Sequence, residues 1–118
     1  MDIDKEVDFL SAQFKKSQEI LIALGDETRQ HLILEMMKTK QCNGLRVVEI
    51  AAFTNLSRPA VSHHLQILKK AGVVKMRREG TKNYYYFDTD LNSINNLIQL
   101  LEQTKKLMLQ LPNRNMEM

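Results

Sequence analysis

The chain has little of several residue types on which whole classes of protein depend. A single cysteine, Cys42, among 118 residues excludes an internal disulfide and any metal site built from a cysteine pair. Only four glycines and two prolines favour a helix-rich fold. No apolar run approaches the ~20 residues of a membrane-spanning helix, and the N-terminal segment is acidic rather than a basic secretory signal. We therefore expect a cytoplasmic protein with no membrane partner.

Sequence signatures of catalysis are also missing. There is no glycine-rich phosphate loop, no pair of carboxylates on one helix face, and no Ser/His/acid set with diagnostic spacing. We expect neither an enzyme nor a cofactor. With 43% hydrophobic and 26% charged residues, a chain of this length has the composition of one globular domain over residues 1–118.

The most informative stretch begins with signals for the start of a helix. Ser57 can accept a backbone N–H of the first turn, and Pro59 falls where a missing N–H costs little. Gly72 supplies the left-handed residue that closes a helix. The sequence thus predicts a helix from about Arg58 to Ala71.

This helix has one apolar and one polar face. At 100° per residue the apolar face consists of Val61, His64, Leu65 and Leu68. The polar face consists of Pro59, Ser62, His63, Gln66 and Lys70. Because no carboxylate lies between Ser57 and Gly72, the polar face suits the floor of the DNA major groove. The helix alone is equally compatible with a solvated amphipathic helix, so the segments before and after it must distinguish DNA binding from simple solvation.

The residues before this helix predict a second, shorter one. A common face is shared by Val47, Ile50, Ala51 and Thr54, and Asn55 can adopt the left-handed conformation that ends a helix. A helix of about eight residues, a turn of about three and the helix from Arg58 form a helix-turn-helix. Further upstream, Asp26 can cap a core helix whose broad apolar face carries Leu32, Ile33, Met36 and Met37.

A β-hairpin is predicted after Gly72. Residues 74–77 alternate, residues 79–81 form a turn, and residues 84–87 are an aromatic run with high strand propensity. Arg77, Arg78 and Lys82 lie near the tip, where they can straddle a phosphate backbone or enter a minor groove. Residues 57–83 contain seven Lys or Arg against one Asp or Glu, whereas residues 1–35 contain four against eight. A cationic block beside a polar helix face indicates nucleic-acid binding.

The two terminal helices carry more apolar surface than one small domain covers. The first, about residues 4–19, has a stripe that includes Val7, Leu10 and Phe14, and the last, about residues 90–111, starts from a cap at Asp88 or Asp90. We expect both to pack against a second copy of the chain. The expected interface residues are Val7, Leu10, Phe14, Leu97, Ile98, Leu101 and Met108. Residues 112–118 are expected to fray.

The motifs resemble a known family. SRPAVSHHLQILKKAGVV followed by RREGTKNYYYF, with ALGDETRQHLILEMM upstream, is similar to the winged helix-turn-helix repressors of the ArsR (arsenical-resistance regulator) type, over roughly residues 20–101. The resemblance implies a mainly α fold of about five helices plus a two-stranded wing. It also implies a homodimer that represses a promoter by binding an imperfect inverted repeat in double-stranded DNA. By the resemblance, the DNA-contacting residues are Ser57, Arg58, Ser62, His63 and Gln66 on the recognition helix and Arg78, Lys82 and Tyr84 on the wing.

The chain departs from that family at its metal-sensing positions. Where thiolate-sensing members carry Cys-x-Cys, this sequence has Arg46 and Val48. At the site on the last helix, Asp90 is present, but Asn92, Gln103 and Lys106 occupy neighbouring places, and these are poor ligands. The resemblance therefore implies no metal and leaves any effector unidentified.

Other candidate residues carry little chemistry. His31 is expected to be structural or exposed, and His64 to be a hydrogen-bonded residue at the rim of the core, while a lone Cys42 in a loop offers only a weak redox handle. One alternative function stays open, because winged helices also serve as protein-interaction modules. In that reading the basic face binds an acidic partner rather than DNA.

Overall fold

A computed structural model describes residues 2–40 and 43–111 of the chain. The elements in order are α1 (Ile3–Lys16), α2 (Gln18–Leu24), α3 (Glu27–Lys38), α4 (Val47–Thr54), α5 (Arg58–Lys70), β1 (Val74–Glu79), β2 (Lys82–Phe87) and α6 (Asn92–Gln110). The predicted winged helix-turn-helix class is confirmed, with α4 and α5 as the helix pair and residues 74–87 as the wing. Cys42 and the tail from residue 112, both subjects of sequence predictions, lie outside the described residues.

The core lies where α2 to α5 meet the base of the wing. Its side chains that are fully removed from solvent include Leu32 of α3, Ile50 of α4, and Val61, Leu65 and Leu68 of α5. The side chains on one side of α5 therefore point into the core, and the opposite side of that helix lies on the outer surface of the domain. On α3, Met36 is buried as predicted, but the prediction for Met37 was wrong: its side chain is 56% exposed because it lies beyond the edge of the packed stripe.

The wing is a two-stranded antiparallel sheet. Val74 pairs with Phe87 at its base and Glu79 pairs with Lys82 at its tip, so the turn predicted at residues 79–81 is confirmed, although Glu79 still belongs to β1. Gly80 there has a φ of 62°, in the left-handed region that glycine adopts without strain. The hairpin begins directly after α5 and therefore lies beside the end of the recognition helix.

The first helix ends earlier than the sequence predicted. α1 stops at Lys16, not at about residue 19, and the buried Ser17 separates it from α2. The described residues therefore contain six helices rather than about five. Ile20 and Ala23 anchor α2 in the core, whereas α1 contains no buried residue. The apolar pattern runs through both helices, so periodicity alone did not reveal the break.

The predicted cap of the last helix was also wrong. α6 begins at Asn92 after Leu91, whose φ of 60° is left-handed, and no side chain caps it. Asp88 Oδ1 instead accepts the N–H of Asp90 (2.8 Å), and Asp90 Oδ2 accepts Asn92 Nδ2–H (2.9 Å). Both carboxylates are thus used by the loop before the helix. In the part of the chain that the structure describes, no helix has the length and apolarity needed to cross a membrane.

Candidate nucleic-acid interface

The turn between α4 and α5 is fixed by local hydrogen bonding and backbone conformation. Asn55 ends α4 with φ 61° and ψ 30°, the left-handed conformation that the sequence predicted. Ser57 Oγ accepts the N–H of Ala60 (3.2 Å), which is the predicted N-cap of α5. Pro59 lies in the first turn, where its missing N–H leaves no gap. Asn55, Ser57 and Pro59 therefore determine where α4 ends and α5 begins.

The outer face of α5, which we call the reading face, carries donors and cations. Arg58, Pro59, His63, Gln66 and Lys70 are exposed, and Ser62 is half-buried. Lys69, which the sequence analysis did not single out although it adjoins Lys70, is also exposed. Since the helix contains no carboxylate, its outer surface can approach both base edges and phosphates without repulsion.

One predicted contact residue on α5 has a partner within the protein. Lys70 Nζ lies 3.9 Å from Glu19 Oε1 of α2, and both side chains are more than half exposed. Such a pair at the surface contributes little free energy, so it is readily exchanged for a phosphate. Lys70 is therefore available at the end of the reading face that lies nearest α2.

The outer face of the wing is organised by a cation–π contact. Arg77 lies opposite Tyr84 in the sheet, and its guanidinium carbon is 4.9 Å from the centre of the tyrosine ring. Arg77 Nε also donates to Glu79 Oε1 (3.0 Å). These two contacts hold the Arg77 guanidinium along the strand rather than leaving it free in solvent.

The other two wing cations lie on different faces of the hairpin. Successive side chains of a strand point to opposite faces, so Arg78 lies on the side opposite Arg77, while Lys82 shares the Arg77 face. Arg78 Nε donates to the carbonyl of Gly80 (3.1 Å), and Lys82 is exposed. The tip therefore presents positive charge on both sides, as required for straddling a phosphate backbone.

Tyr85 connects the wing to the helix-turn-helix. Its N–H donates to the Leu45 carbonyl and its carbonyl accepts the Leu45 N–H, each at 2.8 Å, just before α4 begins. Its buried ring extends across the core, and Gln66 Nε2 donates to its hydroxyl at a long 3.5 Å. The sequence indicated only strand propensity at Tyr85, because the pairing of Leu45 with Tyr85, 40 residues apart, leaves no local signal.

Arg29 is a buried charged residue whose position was not predicted from the sequence. Its buried guanidinium donates from Nε to the Ala23 carbonyl and from Nη2 to the Ile22 carbonyl, both at 2.8 Å. Nη1 lies 3.3 Å from His64 Nδ1 on α5. We call Ile22, Ala23, Asp26, Arg29 and His64 the Arg29 junction; it joins the end of α2, the start of α3 and the middle of α5. Asp and Arg three apart in GDETR hint at a local pair but not at this burial.

The protonation state of the junction follows from its geometry. A guanidinium only donates, so His64 Nδ1 must be the acceptor and the ring proton resides on Nε2. Burial lowers the pKa of His64 from its ordinary 6.5; Asp26 opposes this, and the positive charge of Arg29 adds to it. The pKa of Asp26 is lowered from 3.8, chiefly because its carboxylate accepts the Arg29 N–H. The predicted role of His64 as a hydrogen-bonded rim residue is confirmed.

The residues predicted to form a dimer lie on the outer sides of α1 and α6. Val7, Phe14, Ile98, Leu101 and Met108 are exposed, and Leu10 and Leu97 are half-buried. Phe9 and Leu109, which the sequence analysis did not name, are exposed on the same two helices. His31 is exposed on α3. Within residues 2–40 and 43–111, no three His, Cys, Asp or Glu side chains converge as a metal site would require.

Comparison with known proteins places this geometry in a family. The model of the family described as "bacterial regulatory protein, arsR family" matches residues 26–76, from the cap of α3 into β1. A solution structure of a homodimeric winged helix-turn-helix DNA-binding domain from Mycobacterium bovis, a possible ArsR-family transcriptional regulator, is similar with a TM-score of 0.50. The two are 26% identical, and the match covers 86% of each chain.

Sequence relatives agree with the structural match. The transcriptional repressor SdpR of Bacillus subtilis is 35% identical over 83 residues, which cover 69% of this chain and 88% of SdpR. An uncharacterized HTH-type transcriptional regulator of Methanocaldococcus jannaschii is 40% identical over 92 residues, which cover 77% of this chain and 97% of that protein. The chain therefore belongs to the ArsR family of DNA-binding winged helix-turn-helix transcriptional regulators.

Proposed function

We propose that this protein is a homodimeric repressor that binds an inverted-repeat operator, with α5 in the major groove and the wing on the adjacent backbone. The observation that carries the proposal is the carboxylate-free reading face of α5, held beside a wing with cations on both sides. A two-fold dimer presents the same face to each half-site, so an inverted repeat follows from its symmetry. The relative SdpR is named a transcriptional repressor.

Base reading is assigned to Ser62 and Gln66, because their side chains offer both donors and acceptors to base edges. Phosphate binding is assigned to Arg58, Arg78 and Lys82, which are exposed cations at the start of α5 and the tip of the wing. The remaining proposed contacts are Ser57, Pro59, His63, Lys70, Arg77 and Tyr84. Substitution of a base-reading residue should change sequence preference, whereas substitution of a phosphate-binding residue should change affinity for every sequence.

A selection from a random-sequence duplex library, followed by fluorescence anisotropy with the selected duplex, tests this assignment. Gln66→Ala should lower the preference for the selected sequence by about 1–3 kcal/mol, while Lys82→Ala should weaken binding to every duplex and flatten its salt dependence. If Gln66→Ala and Ser62→Ala leave preference and affinity unchanged, the reading face is assigned to the wrong surface. Tighter binding of acidic peptides than of duplex DNA would favour the protein-interaction alternative.

Dimerisation is proposed from the unpartnered apolar surface of α1 and α6. The described structure has a radius of gyration of 18.5 Å, whereas a compact chain of this length has roughly 13–14 Å. No residue of α1 is buried, and its exposed apolar side chains add to those of α6. A second copy covers both sets of side chains and removes this surface from water.

Sedimentation of matched charge variants tests the dimer. Leu101 on α6 is 54% exposed and Leu34 on α3 is 58% exposed. Replacement by glutamate should therefore have a similar effect on the stability of the isolated chain at either position. Leu101→Glu should dissociate the dimer and weaken DNA binding together, while Leu34→Glu should leave the dimer intact. A monomeric wild type that binds its operator tightly would contradict the proposal.

Repression is tested by transcription in vitro. With the selected duplex placed across a promoter, added protein should reduce transcript yield, and the Leu101→Glu variant should reduce it less at the same concentration. Increased transcript yield would show an activator instead.

A further inference from the structure

Besides the buried apolar side chains of α5, the Arg29 junction links α5 to α3 through a hydrogen bond that one proton can break. Arg29 is tied by two 2.8 Å bonds to the end of α2, and its Nη1 reaches His64 at 3.3 Å. His64 directly follows His63 of the reading face, and the two ring centres are 5.5 Å apart. A change at His64 therefore acts within one residue of the surface proposed to contact DNA.

Protonation at Nδ1 converts this attraction into repulsion. The nitrogen loses the lone pair that accepts from Arg29, and the ring gains a positive charge beside a guanidinium that stays charged at any accessible pH. Arg29 cannot turn away without breaking its bonds to the carbonyls of Ile22 and Ala23 at the end of α2; the Ile22 carbonyl would keep only its long 3.3 Å bond from the Gly25 N–H. The strain is thus relieved by movement of His64 and of α5.

Burial is the largest cause that disfavours the protonated His64 ring and lowers its pKa; among the charged groups around it, the attraction by Asp26 is larger than the repulsion by Arg29. Asp26, at the start of α3, attracts the protonated ring, but its carboxylate already accepts the Arg29 N–H and lies 3.9 Å from Arg29 Nη1. His63, the titratable neighbour on α5 itself, adds repulsion when protonated. The charged side chains on other elements packed against α5 make contacts of their own: Glu19 of α2 with Lys70, Glu49 of α4 with the Arg46 N–H, Lys75 of β1 with Asp88, Arg77 of β1 with Glu79, and Arg78 of β1 with the Gly80 carbonyl.

We propose that the Arg29 junction is a proton-sensitive switch in which protonation of His64 releases α5 from α2 and α3 and lowers the affinity for DNA. The inference rests on the proposed DNA-binding role of α5. The ligand is a proton from solvent, which binds only after the His64–Arg29 bond opens. DNA binding requires the closed junction, whereas proton binding at His64 requires the open one. Each binding event therefore weakens the other by linkage.

The pH range follows from the sign of the shift. Burial lowers the pKa of His64 from 6.5, so the open state takes up a proton at a higher pH than the closed state does. Affinity for DNA and the free energy of unfolding should both be constant above pH 6.5. Both should fall as the pH decreases from 6.5 towards the lowered pKa of the closed junction.

Anisotropy titrations of the full chain with the selected duplex, at constant ionic strength between about pH 8 and about pH 5, test the switch. Wild-type affinity should fall below pH 6.5 by up to about tenfold per pH unit for each protomer, the limit for one linked proton. His64→Asn places an amide oxygen close to the position of Nδ1 and cannot titrate, so its affinity relative to its own value at about pH 7.5 should lose this fall. The control variant His31→Asn makes the same change at an exposed histidine of α3, and its affinity for DNA should still fall below pH 6.5.

Two outcomes overturn the proposal: a wild type whose affinity does not fall below pH 6.5, and a fall of the same size in His64→Asn. A DNA-free measurement separates failure of the switch from failure of the proposed function. In an NMR titration of the imidazole Cε1–H signals, the pKa of His64 should lie below 6.5. If no duplex binds at any pH, the regulatory role fails with the proposed function. A His64 pKa at or above 6.5 refutes the junction itself.

Discussion

Gly72, between the recognition helix and the wing, allows a prediction whose two energetic components can be separated. Its φ of 80° is left-handed, and a Cβ added there would overlap Ser93 Oγ and lie 3.3 Å from Ser93 Cβ at the start of α6. Gly80, at the wing tip, has a φ of 62° but no atom within 4 Å of an added Cβ. An alanine thus meets conformational strain at both positions and a steric clash at only one.

The magnitudes follow from these two contributions. The left-handed conformation costs an alanine about 1–2 kcal/mol at either position. The clash with Ser93 adds about 1–3 kcal/mol, the usual cost of extra atoms in a packed region. Gly80→Ala should therefore lower the free energy of unfolding by about 1–2 kcal/mol, and Gly72→Ala by about 2–5 kcal/mol.

Urea denaturation at one protein concentration measures both variants, since a dimer's stability depends on concentration. The double variant Gly72→Ala/Ser93→Ala removes the overlapping oxygen and should recover part of the clash contribution, while Ser93→Ala alone supplies the reference for the cycle. Gly72→Ala should also weaken DNA binding, because relief of the clash moves the wing base relative to α5. Equal destabilisation by Gly72→Ala and Gly80→Ala would refute the reasoning.

Three further predictions concern the cap of α5, acid stability and metal binding. Ser57→Ala should lower the free energy of unfolding by about 1 kcal/mol, because the Ala60 N–H loses its acceptor; unchanged urea unfolding would contradict the assigned cap. The lowered pKa of Asp26 means that its carboxylate stabilises the fold above pH 3.8 and that this contribution is lost as the pH falls through the lowered pKa. The stability difference between wild type and Asp26→Ala should therefore narrow in acid, as measured by urea unfolding at several pH values. Zinc, cadmium and arsenite should neither bind tightly nor release DNA, since by the resemblance Arg46 and Val48 replace the thiolate ligands and Asn92, Gln103 and Lys106, near the other site, are poor ligands. Calorimetry that shows sub-micromolar affinity, reduced by DNA, would contradict this.

The parts of the fold predicted from sequence are those that depend on near neighbours. Ser57, Asn55 and Gly72 determine the ends of α4 and α5 through their own backbone and side-chain hydrogen bonding, so their positions were evident from residue type and spacing. The hairpin was predicted for the same reason. Its turn and strands lie within 14 consecutive residues, 74–87.

The features that were missed depend on distant parts of the chain. The break at Ser17 arises because α2 enters the core while α1 leaves it, a difference that an unbroken apolar pattern does not carry. Asp88 and Asp90 resemble caps, yet the loop uses both carboxylates before α6 begins. Arg29 contacts His64, which is 35 residues further along the chain. Because arginine is almost never fully buried unless it is paired, its residue type gives no reason to expect burial.

The bridge between Leu45 and Tyr85 limits how the protein can adapt to its target. Because β2 is bonded to the residue before α4, and the Tyr85 hydroxyl accepts from Gln66 of α5, the spacing between α5 and the wing is constrained while the Arg29 junction is closed. A duplex whose groove and backbone do not match that spacing must itself bend or change groove width. The deformability of base steps between the two contacts should therefore influence affinity at positions that no side chain touches.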